Sequence, residues 1–274
     1  MPVLDHDGRK VSYDDTGNGP TIVLLPPGAS PASAWRKVTE CLGLDYRVIA
    51  VNPAGYGDTE PFGPDKRSGL EEEAAAVLAI LSGIRGQVHL VGHSYGGAIA
   101  LDLALTAPER FATLTLIEPA PYSMLAQAGE QALADEVDGV NRAFIRDVRA
   151  GNTVTALKTY MDYYNGRPGV WDGLSERVQA NLLAAADNIV AGLRASHNSP
   201  TKLSDYATIS IPTLVAAGEE TDRVHARLSR VIAGAIPDAW FETVAGAGHM
   251  LSLTHPAETA RIILKQLQRV DPPS

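Results

Sequence analysis

Short apolar runs alternate with longer amphipathic segments in both the first and the last part of the chain. A short apolar run bounded by turn residues is typical of a buried strand, and apolar residues three or four positions apart are typical of a helix. Strands that alternate with helices predict a mainly parallel sheet covered by helices on both faces. After an N-terminal hairpin over residues 2–16, the predicted strands cover residues 21–25, 47–51, 88–91, 113–117, 211–218 and 240–244.

The middle of the chain breaks this alternation, because it contains no run typical of a strand. Its periodicity predicts helices over about 123–150, 153–164 and 175–196, separated by turns rich in glycine and asparagine. The strand pattern then resumes, which favours a helical insertion between two strands of one core. The predicted organisation is a first core part (1–118), a helical lid (119–207) and a second core part (208–274).

The strand predicted at 88–91 leads directly into Gly92-His93-Ser94-Tyr95-Gly96 and then into an unbroken helical segment. Glycine at both ends of a Gly-x-Ser-x-Gly sequence lets a strand and a helix approach closely, with the serine at a strained turn between them. Such strain persists where function requires it. A chance match in a loop is the alternative, and the flanking strand and helix disfavour it. Ser94 is therefore the first candidate nucleophile.

Charge and cysteine content exclude several classes of partner. The chain has 32 acidic residues against 23 lysines and arginines, a net charge of −9 at pH 7. A nucleic-acid partner requires a basic face, so we expect none. The single cysteine, Cys41, forms neither an internal disulfide nor a cysteine-based metal cluster. The N-terminus lacks a signal-peptide pattern and no segment has the apolar length of a membrane span, which predicts a cytoplasmic protein with no membrane partner.

Three motifs resemble those of the α/β-hydrolase fold superfamily, in particular its lid-bearing serine hydrolases. They are the segment 24–35, the elbow 92–97, and Gly246-Ala247-Gly248-His249 followed by 254–256. The resemblance covers nearly the whole chain and implies an α/β fold with a mostly parallel sheet flanked by helices. It implies that Ser94 is the nucleophile and His249 the general base, with no metal and no cofactor. Serine at position 94 argues against the haloalkane dehalogenase and epoxide hydrolase branches.

The acid of the implied catalytic triad has two candidates. Many relatives carry an aspartate in a Gly-x-x-Asp pattern after the strand that ends here at Gly218, but that slot holds Thr221, and Asp222 lies one residue late. Haloalkane dehalogenases that take their acid from the preceding strand, and the fungal zearalenone lactonase, match Glu118 instead, which lies 24 residues after Ser94. We favour Glu118 and keep Asp222 as the alternative; a supporting role beside the triad is the other interpretation of Glu118.

The oxyanion hole is predicted from two backbone N–H groups. One belongs to Tyr95, directly after the nucleophile. The other belongs to the loop after the first core strand, where relatives usually have His-Gly-x and this chain has Pro26-Pro27-Gly28. Because proline has no N–H, Gly28 is the predicted second donor.

Aromatic residues of the predicted lid are candidates for substrate binding and imply a fairly apolar small-molecule substrate. Packing of the lid onto the core is the alternative for each of them. Among the other histidines, His93 is predicted to be buried, His225 to have no special role, and His197 to lie at the surface, with substrate contact as its alternative. The substrate-binding candidates are Tyr122, Tyr160, Tyr164 and Trp171.

These features predict a serine hydrolase, an esterase or lactonase that cleaves a carboxylic ester or lactone through an acyl-enzyme. The alternative is a carbon–carbon bond hydrolase or lyase that uses the same triad. A ligand receptor on a hydrolase fold is a third interpretation, since a fold does not fix a function. A homodimer is an open alternative to a monomer.

Overall fold

The computed structural model describes residues 1–62 and 69–270. Within them, eight strands form one sheet, and each lies close to a run that the sequence predicts. The strands are β1 (Val3–His6), β2 (Arg9–Thr16), β3 (Thr21–Leu25), β4 (Arg47–Val51), β5 (Val88–His93), β6 (Phe111–Ile117), β7 (Thr213–Gly218) and β8 (Trp240–Val244).

The α-helices of the described residues follow the strands in the predicted alternation at both ends of the chain. The helix expected from Ser68 begins at Leu70, and Ser68 lies outside the described residues. The helices are α1 (Arg36–Leu42), α2 (Leu70–Leu81), α3 (Tyr95–Thr106), α4 (Ser123–Gln127), α5 (Gln131–Arg149), α6 (Thr153–Tyr164), α7 (Glu176–Ala184), α8 (Ala186–His197), α9 (Arg223–Ala235), α10 (Leu251–Thr254) and α11 (Pro256–Leu267).

The sheet has the strand order β1-β2-β4-β3-β5-β6-β7-β8. The hairpin strands β1 and β2 pair antiparallel, as do β2 and β4, and every other neighbouring pair is parallel. Parallel strands place their carboxyl ends at one edge of a sheet, which is where such folds bind ligands. The loops after β3, β5, β6, β7 and β8 therefore leave from the same edge. The predicted fold class is confirmed.

Alternate residues of the central strands enter two separate hydrophobic layers, as the two-residue period of a strand requires. In β3, Val23 and Leu25 belong to the layer that also contains apolar residues of α2, α3, α9 and the helices between β6 and β7. Ile22 and Leu24 belong to the other layer, which α1 and α11 cover. Burial of both faces explains why the central strands are continuous apolar runs rather than alternating ones.

Between β6 and β7 the described chain contains helices and no strand, as the sequence predicts. Two of the predicted helices are each divided in two. Gly129, with φ of 80°, forms the turn that separates α4 from α5, and Ala185 ends α7 before α8 begins. The use of this helical insertion as a lid stays a prediction. Across the described residues, the search for a helix both long and apolar enough to cross a bilayer gave no candidate.

Candidate active site

Ser94 occupies a strained position between β5 and α3. Its φ is 52°, in the left-handed region that costs a non-glycine residue free energy. A side chain on Gly92 would overlap the Gly96 carbonyl, and one on Gly96 would overlap the Leu25 carbonyl, so only glycine permits this tight turn. The Ser94 N–H donates to the Ile117 carbonyl at 2.9 Å, which ties the turn to the end of β6. The elbow predicted from the sequence is therefore present.

A chain of hydrogen bonds joins Ser94, His249 and Glu118. The Ser94 hydroxyl lies 3.1 Å from Nε2 of His249, and Nδ1 of His249 lies 2.7 Å from Oε2 of Glu118. An ionised carboxylate only accepts, so Nδ1 carries the proton and Nε2 is free to accept from the serine. The loops after β5, β6 and β8 thus bring together three residues that are 24 and 131 positions apart along the chain.

Glu118 is fully buried directly after β6, with φ of 41°. Besides His249, its carboxylate accepts from the Gly218 N–H at 2.7 Å and from the Thr221 hydroxyl at 2.8 Å. Burial opposes the charged form, but the hydrogen bond and the charge of His249 outweigh it and hold the pKa of Glu118 below its ordinary value. Glu118 is therefore a paired anion. Thr221, in the slot where relatives have aspartate, is one of its donors.

His249 is 4% exposed, on the loop after β8. Burial lowers its pKa, and His225 lowers it further, while Glu118 acts in the opposite direction. The neighbouring His93 donates from Nε2 to the His249 carbonyl at 2.8 Å and accepts at Nδ1 from the Ser252 hydroxyl at 2.8 Å. Burial lowers the pKa of His93 to about 3, so this ring is neutral. The predicted burial of His93 is confirmed, and its hydrogen bonds fix the backbone that carries His249.

Asp222, the alternative acid, does not contact His249 through a hydrogen bond. One of its oxygens accepts from the N–H groups of Val224 and His225 at the start of α9, and the other lies 2.5 Å from Nδ1 of His225. The ring of His225 lies against that of His249, with centroids 3.8 Å apart and planes inclined by 33°. His225, for which the sequence predicts no special role, is buried on α9 in contact with the candidate base. The three-residue spacing of Asp222 and His225 at a helix start was the signal available in the sequence.

The predicted oxyanion donors lie beside each other. A β-carbon added to Gly28 would lie 3.7 Å from the Tyr95 β-carbon, which puts the two backbones in close reach. Within the described chain, neither the Gly28 nor the Tyr95 N–H donates to another protein group. Tyr95 is the first residue of α3, where the N–H has no partner inside the helix. Their arrangement fits two free donors, and their role as an oxyanion hole stays a prediction.

A cavity of about 210 Å³ opens beside Ser94, between the carboxyl edge of the sheet and the helical insertion. Tyr122 and Tyr160 line it as predicted. Tyr164 and Trp171 do not: Tyr164 donates to Asn141 at 2.8 Å and lies over the His249 ring, while Trp171 is buried in the hydrophobic layer. Nδ1 of His197 lies 3.2 Å from a carboxylate oxygen of Asp138 at the surface, and His197 does not line the cavity either.

The cavity wall is mostly apolar and its charged groups are acidic. Among the described lining residues, the charged side chains are Glu73 and Asp187, and no lysine, arginine or histidine is present. Glu73 is buried, accepts from the Ala54 N–H at 3.1 Å and receives a longer bond of 3.4 Å from the Tyr95 hydroxyl. Burial raises the pKa of Glu73 to about 7. Sequence reasoning did not single out this carboxyl.

Glu118, His225 and His249 offer ligand atoms within 4.8 Å of one another, the spacing of a candidate metal centre. Nδ1 of His249 and Oε2 of Glu118 are joined directly at 2.7 Å, and both ring nitrogens of His225 have partners in Asp222 and Tyr122. The candidate ligand atoms of these three residues therefore already have hydrogen-bond partners within the protein. The prediction of no metal and no cofactor stays a prediction.

Comparison with known proteins gives one family match and several relatives. The sequence model of the alpha/beta hydrolase family matches residues 22–262. A 2-hydroxy-6-oxononadienedioate/2-hydroxy-6-oxononatrienedioate hydrolase of Burkholderia vietnamiensis is 27% identical, with 97% of this chain and 94% of the relative covered. A pimeloyl-[acyl-carrier protein] methyl ester esterase of Aeromonas hydrophila is 35% identical over 42% of this chain and 43% of its own.

Among solved structures, MGS-M2, an alpha/beta hydrolase enzyme from a deep-sea metagenome library of the Medee basin, superposes with a TM-score of 0.80. The two sequences are 15% identical, and the match covers 97% of each chain. At that identity the likeness concerns the fold alone. The resemblance to zearalenone lactonase stays a prediction.

Proposed function

The chain belongs to the alpha/beta hydrolase family, and on that premise we propose that it is a serine hydrolase of an uncharged, largely apolar carbonyl compound. The observation that carries the proposal is the unbroken hydrogen-bond chain from Ser94 through His249 to the buried Glu118. A serine hydroxyl is a weak nucleophile unless an adjacent base accepts its proton, and the base needs a partner that fixes its tautomer. Both requirements are met by this arrangement.

In the proposed first step, Nε2 of His249 takes the Ser94 proton while the serine oxygen attacks the substrate carbonyl. The negative charge that develops on the carbonyl oxygen would be held by the N–H groups of Gly28 and Tyr95. Glu118 stabilises the imidazolium form of His249. The imidazolium then gives its proton to the leaving group, and the acyl group stays on Ser94. Water, deprotonated by His249, releases the acid in the second step.

Relatives that align over nearly the whole chain favour carbon–carbon cleavage over the ester or lactone cleavage predicted first. The relative from Burkholderia vietnamiensis, aligned over 97% of this chain, bears the name of a hydrolase of an oxo-dienedioate. In such a reaction, the bond beside the attacked carbonyl breaks, its electron pair stays on the leaving carbon, and His249 would protonate that carbon. We therefore propose hydrolysis of a carbon–carbon bond next to a ketone as the first candidate.

The cavity argues for a substrate without the two carboxylates of a dioate. A buried carboxylate requires a cationic or hydrogen-bonding partner. Glu73 and Asp187 are the charged groups of the described lining, and both are acidic. A negatively charged substrate would face Asp187 and the ionised fraction of Glu73, and no cation of the described lining would pair with it. An uncharged diketone, or one that donates a hydrogen bond to Glu73, fits this wall.

Cleavage of a carboxylic ester or lactone is the second candidate. It is favoured by the local similarity to a methyl ester esterase, at 35% identity over 116 residues. The steps at Ser94 and His249 would be the same, with an alkoxide as the leaving group instead of a carbanion.

The test is a panel of matched substrates that share one acyl group: an uncharged β-diketone, a methyl ester, a lactone, and the diketone with an added carboxylate. We expect turnover of the uncharged diketone, and a clear preference for it over its carboxylate analogue.

Ser94→Ala should lower kcat by about 10³-fold or more without changing the thermal unfolding midpoint. Undiminished turnover by this variant would contradict the mechanism, while faster turnover of the ester or lactone would favour the second candidate.

A further inference from the structure

The site contains a second carboxylate–imidazole pair that the proposed reaction does not use. Asp222 and His225 lie at the start of α9, and their hydrogen bond of 2.5 Å parallels the bond of 2.7 Å between Glu118 and His249. The two imidazole rings pack against each other, with centroids 3.8 Å apart and planes inclined by 33°. His225 is completely buried, and its Nε2 lies 3.0 Å from the Tyr122 hydroxyl, which belongs to the cavity wall.

Residues of several elements surround the rings of His249 and His225. The His249 ring faces His93 at the end of β5, Glu118 after β6, Tyr164 of α6, and His225, with Asp222 behind the last. The His225 ring faces Asp222, Tyr122, Tyr164 and His249. His93 is neutral and the tyrosines are un-ionised at neutral pH, because burial lowers the pKa of His93 to about 3 and raises the pKa of Tyr164 well above its ordinary value. The neighbouring groups that shift the pKa of His249 are therefore Glu118 and Asp222, which raise it, and His225, which lowers it.

We propose that His225, held by Asp222, is a positioning residue for the base: its ring keeps His249 unprotonated and aligned between Ser94 and Glu118. The proposal rests on the assignment of His249 as the base in the hydrolysis described above. It gives a role to Asp222, which lies one residue after the position where many relatives carry the acid of their catalytic triad.

Two physical effects support this role. Two imidazolium ions at 3.8 Å would repel each other strongly in a buried site, so a proton on one ring disfavours a proton on the other. Glu118 and Asp222 favour a proton on His249, while burial and the adjacent His225 oppose it and together outweigh them, so that the pKa of His249 lies below its ordinary value. His225 packs directly against the His249 ring, whereas Asp222 lies behind His225. His249 then remains the free base that Ser94 requires.

The second effect is steric. The His249 ring is confined on one face by His225, and the ring of Tyr164 is its neighbour at a centroid distance of 5.8 Å. Rotation of His249 away from Ser94 would require space that these rings occupy. Close packing of this kind holds a reacting group near its productive geometry, which is worth a large part of the rate.

The experiment measures how fast Ser94 reacts with a p-nitrophenyl alkylphosphonate as a function of pH. This probe reports the protonation of the base without the natural substrate. In His225→Gln, which retains a polar planar side chain but removes the imidazole that lowers the pKa of His249, the midpoint of the rate profile should rise by about half a pH unit or more. In Asp222→Asn, the midpoint should rise by less than in His225→Gln or not at all, since the carboxylate that favours a proton on His249 is lost while the His225 ring stays in place.

Asp222→Asn should fold, because asparagine caps a helix as well as aspartate does. His197→Gln is the matched control: it removes an exposed histidine of α8 that pairs with Asp138, and its midpoint should equal that of the unmodified protein. An unchanged or lowered midpoint in His225→Gln, or a larger rise in Asp222→Asn than in His225→Gln, would overturn the inference alone. Failure of the unmodified protein to be labelled at Ser94 would overturn the proposed function and the inference with it.

Discussion

The two carboxylate–histidine pairs of this site have the same components but different surroundings. Glu118 is completely buried after β6 and has three donors, from Gly218, Thr221 and His249. The Asp222 side chain is 18% exposed, and one of its oxygens is used to cap α9. Glu118 thus directs its charge at the base, whereas Asp222 divides its charge between a helix terminus and a second ring.

This difference shows that the residue type alone does not make a triad acid. A carboxylate that serves a catalytic histidine must reach Nδ1 while its remaining lone pairs are satisfied. At the end of β6, the Gly218 N–H and the Thr221 hydroxyl provide those partners for Glu118. One residue past the usual slot, Asp222 occupies the N-cap of α9, where helix N–H groups compete for it.

The largest expected effect separates the two carboxylates. Glu118→Gln should lower kcat by about 10³–10⁴-fold, because without the carboxylate the tautomer of His249 is no longer fixed. Asp222→Asn should lower kcat by less than about tenfold, because Asp222 acts only through His225. Steady-state kinetics of both variants on one substrate make the comparison, and the opposite order would assign the acid to Asp222.

A smaller effect is expected from Thr221→Val, which removes one donor to Glu118 and keeps the shape of the side chain. The carboxylate would lose orientation but keep its bond to His249, so kcat should fall by about tenfold with KM little changed. Thr208→Val is the control, since its hydroxyl donates only to the Asp205 carbonyl at the surface. A loss in Thr221→Val as large as that of Glu118→Gln would mean that Thr221 acts on the base directly.

The smallest effect concerns stability rather than rate. Asp222→Ala removes the cap of α9 and should lower the free energy of unfolding by about 1 kcal/mol, while Asp222→Asn should change it by a few tenths. Denaturant unfolding of the two variants measures this. Equal losses in both would show that the charge of Asp222, rather than its capping bonds, stabilises the folded state.

Much of the fold was predictable because its signals are local. The apolar runs of β3, β5, β6 and β7 mark strands that are buried on both faces, and turn residues bound them. The position of the helix breaks was less accessible: α7 ends at Ala184, and Ala185 separates it from α8 without a glycine or proline to mark the break. Tertiary packing sets such a boundary more than the preference of one residue.

Within the site, the residues whose position follows from backbone geometry were predictable. The strained turn at Ser94 requires Gly92 and Gly96 on either side of it. Gly28 is the candidate oxyanion donor because the two prolines before it have no N–H. The lining of the cavity was not predictable in the same way, because helical periodicity does not tell which side of an inserted helix faces a cavity. Tyr160 and Tyr164 lie on the same helix, yet only Tyr160 lines the cavity.

The sequence by itself therefore determined the sheet, the elbow at Ser94 and the short set of groups that belong at its carboxyl edge. Only the tertiary structure decided how two carboxylates and two histidines from distant loops pair with each other. Hydrogen-bond partners such as Gly218 and Thr221 come from strands and loops far away in sequence, and the free energy of a buried charge depends on all of them at once. That is why Glu118 is hydrogen-bonded to His249, while Asp222 is hydrogen-bonded to His225, whose ring packs against that of His249.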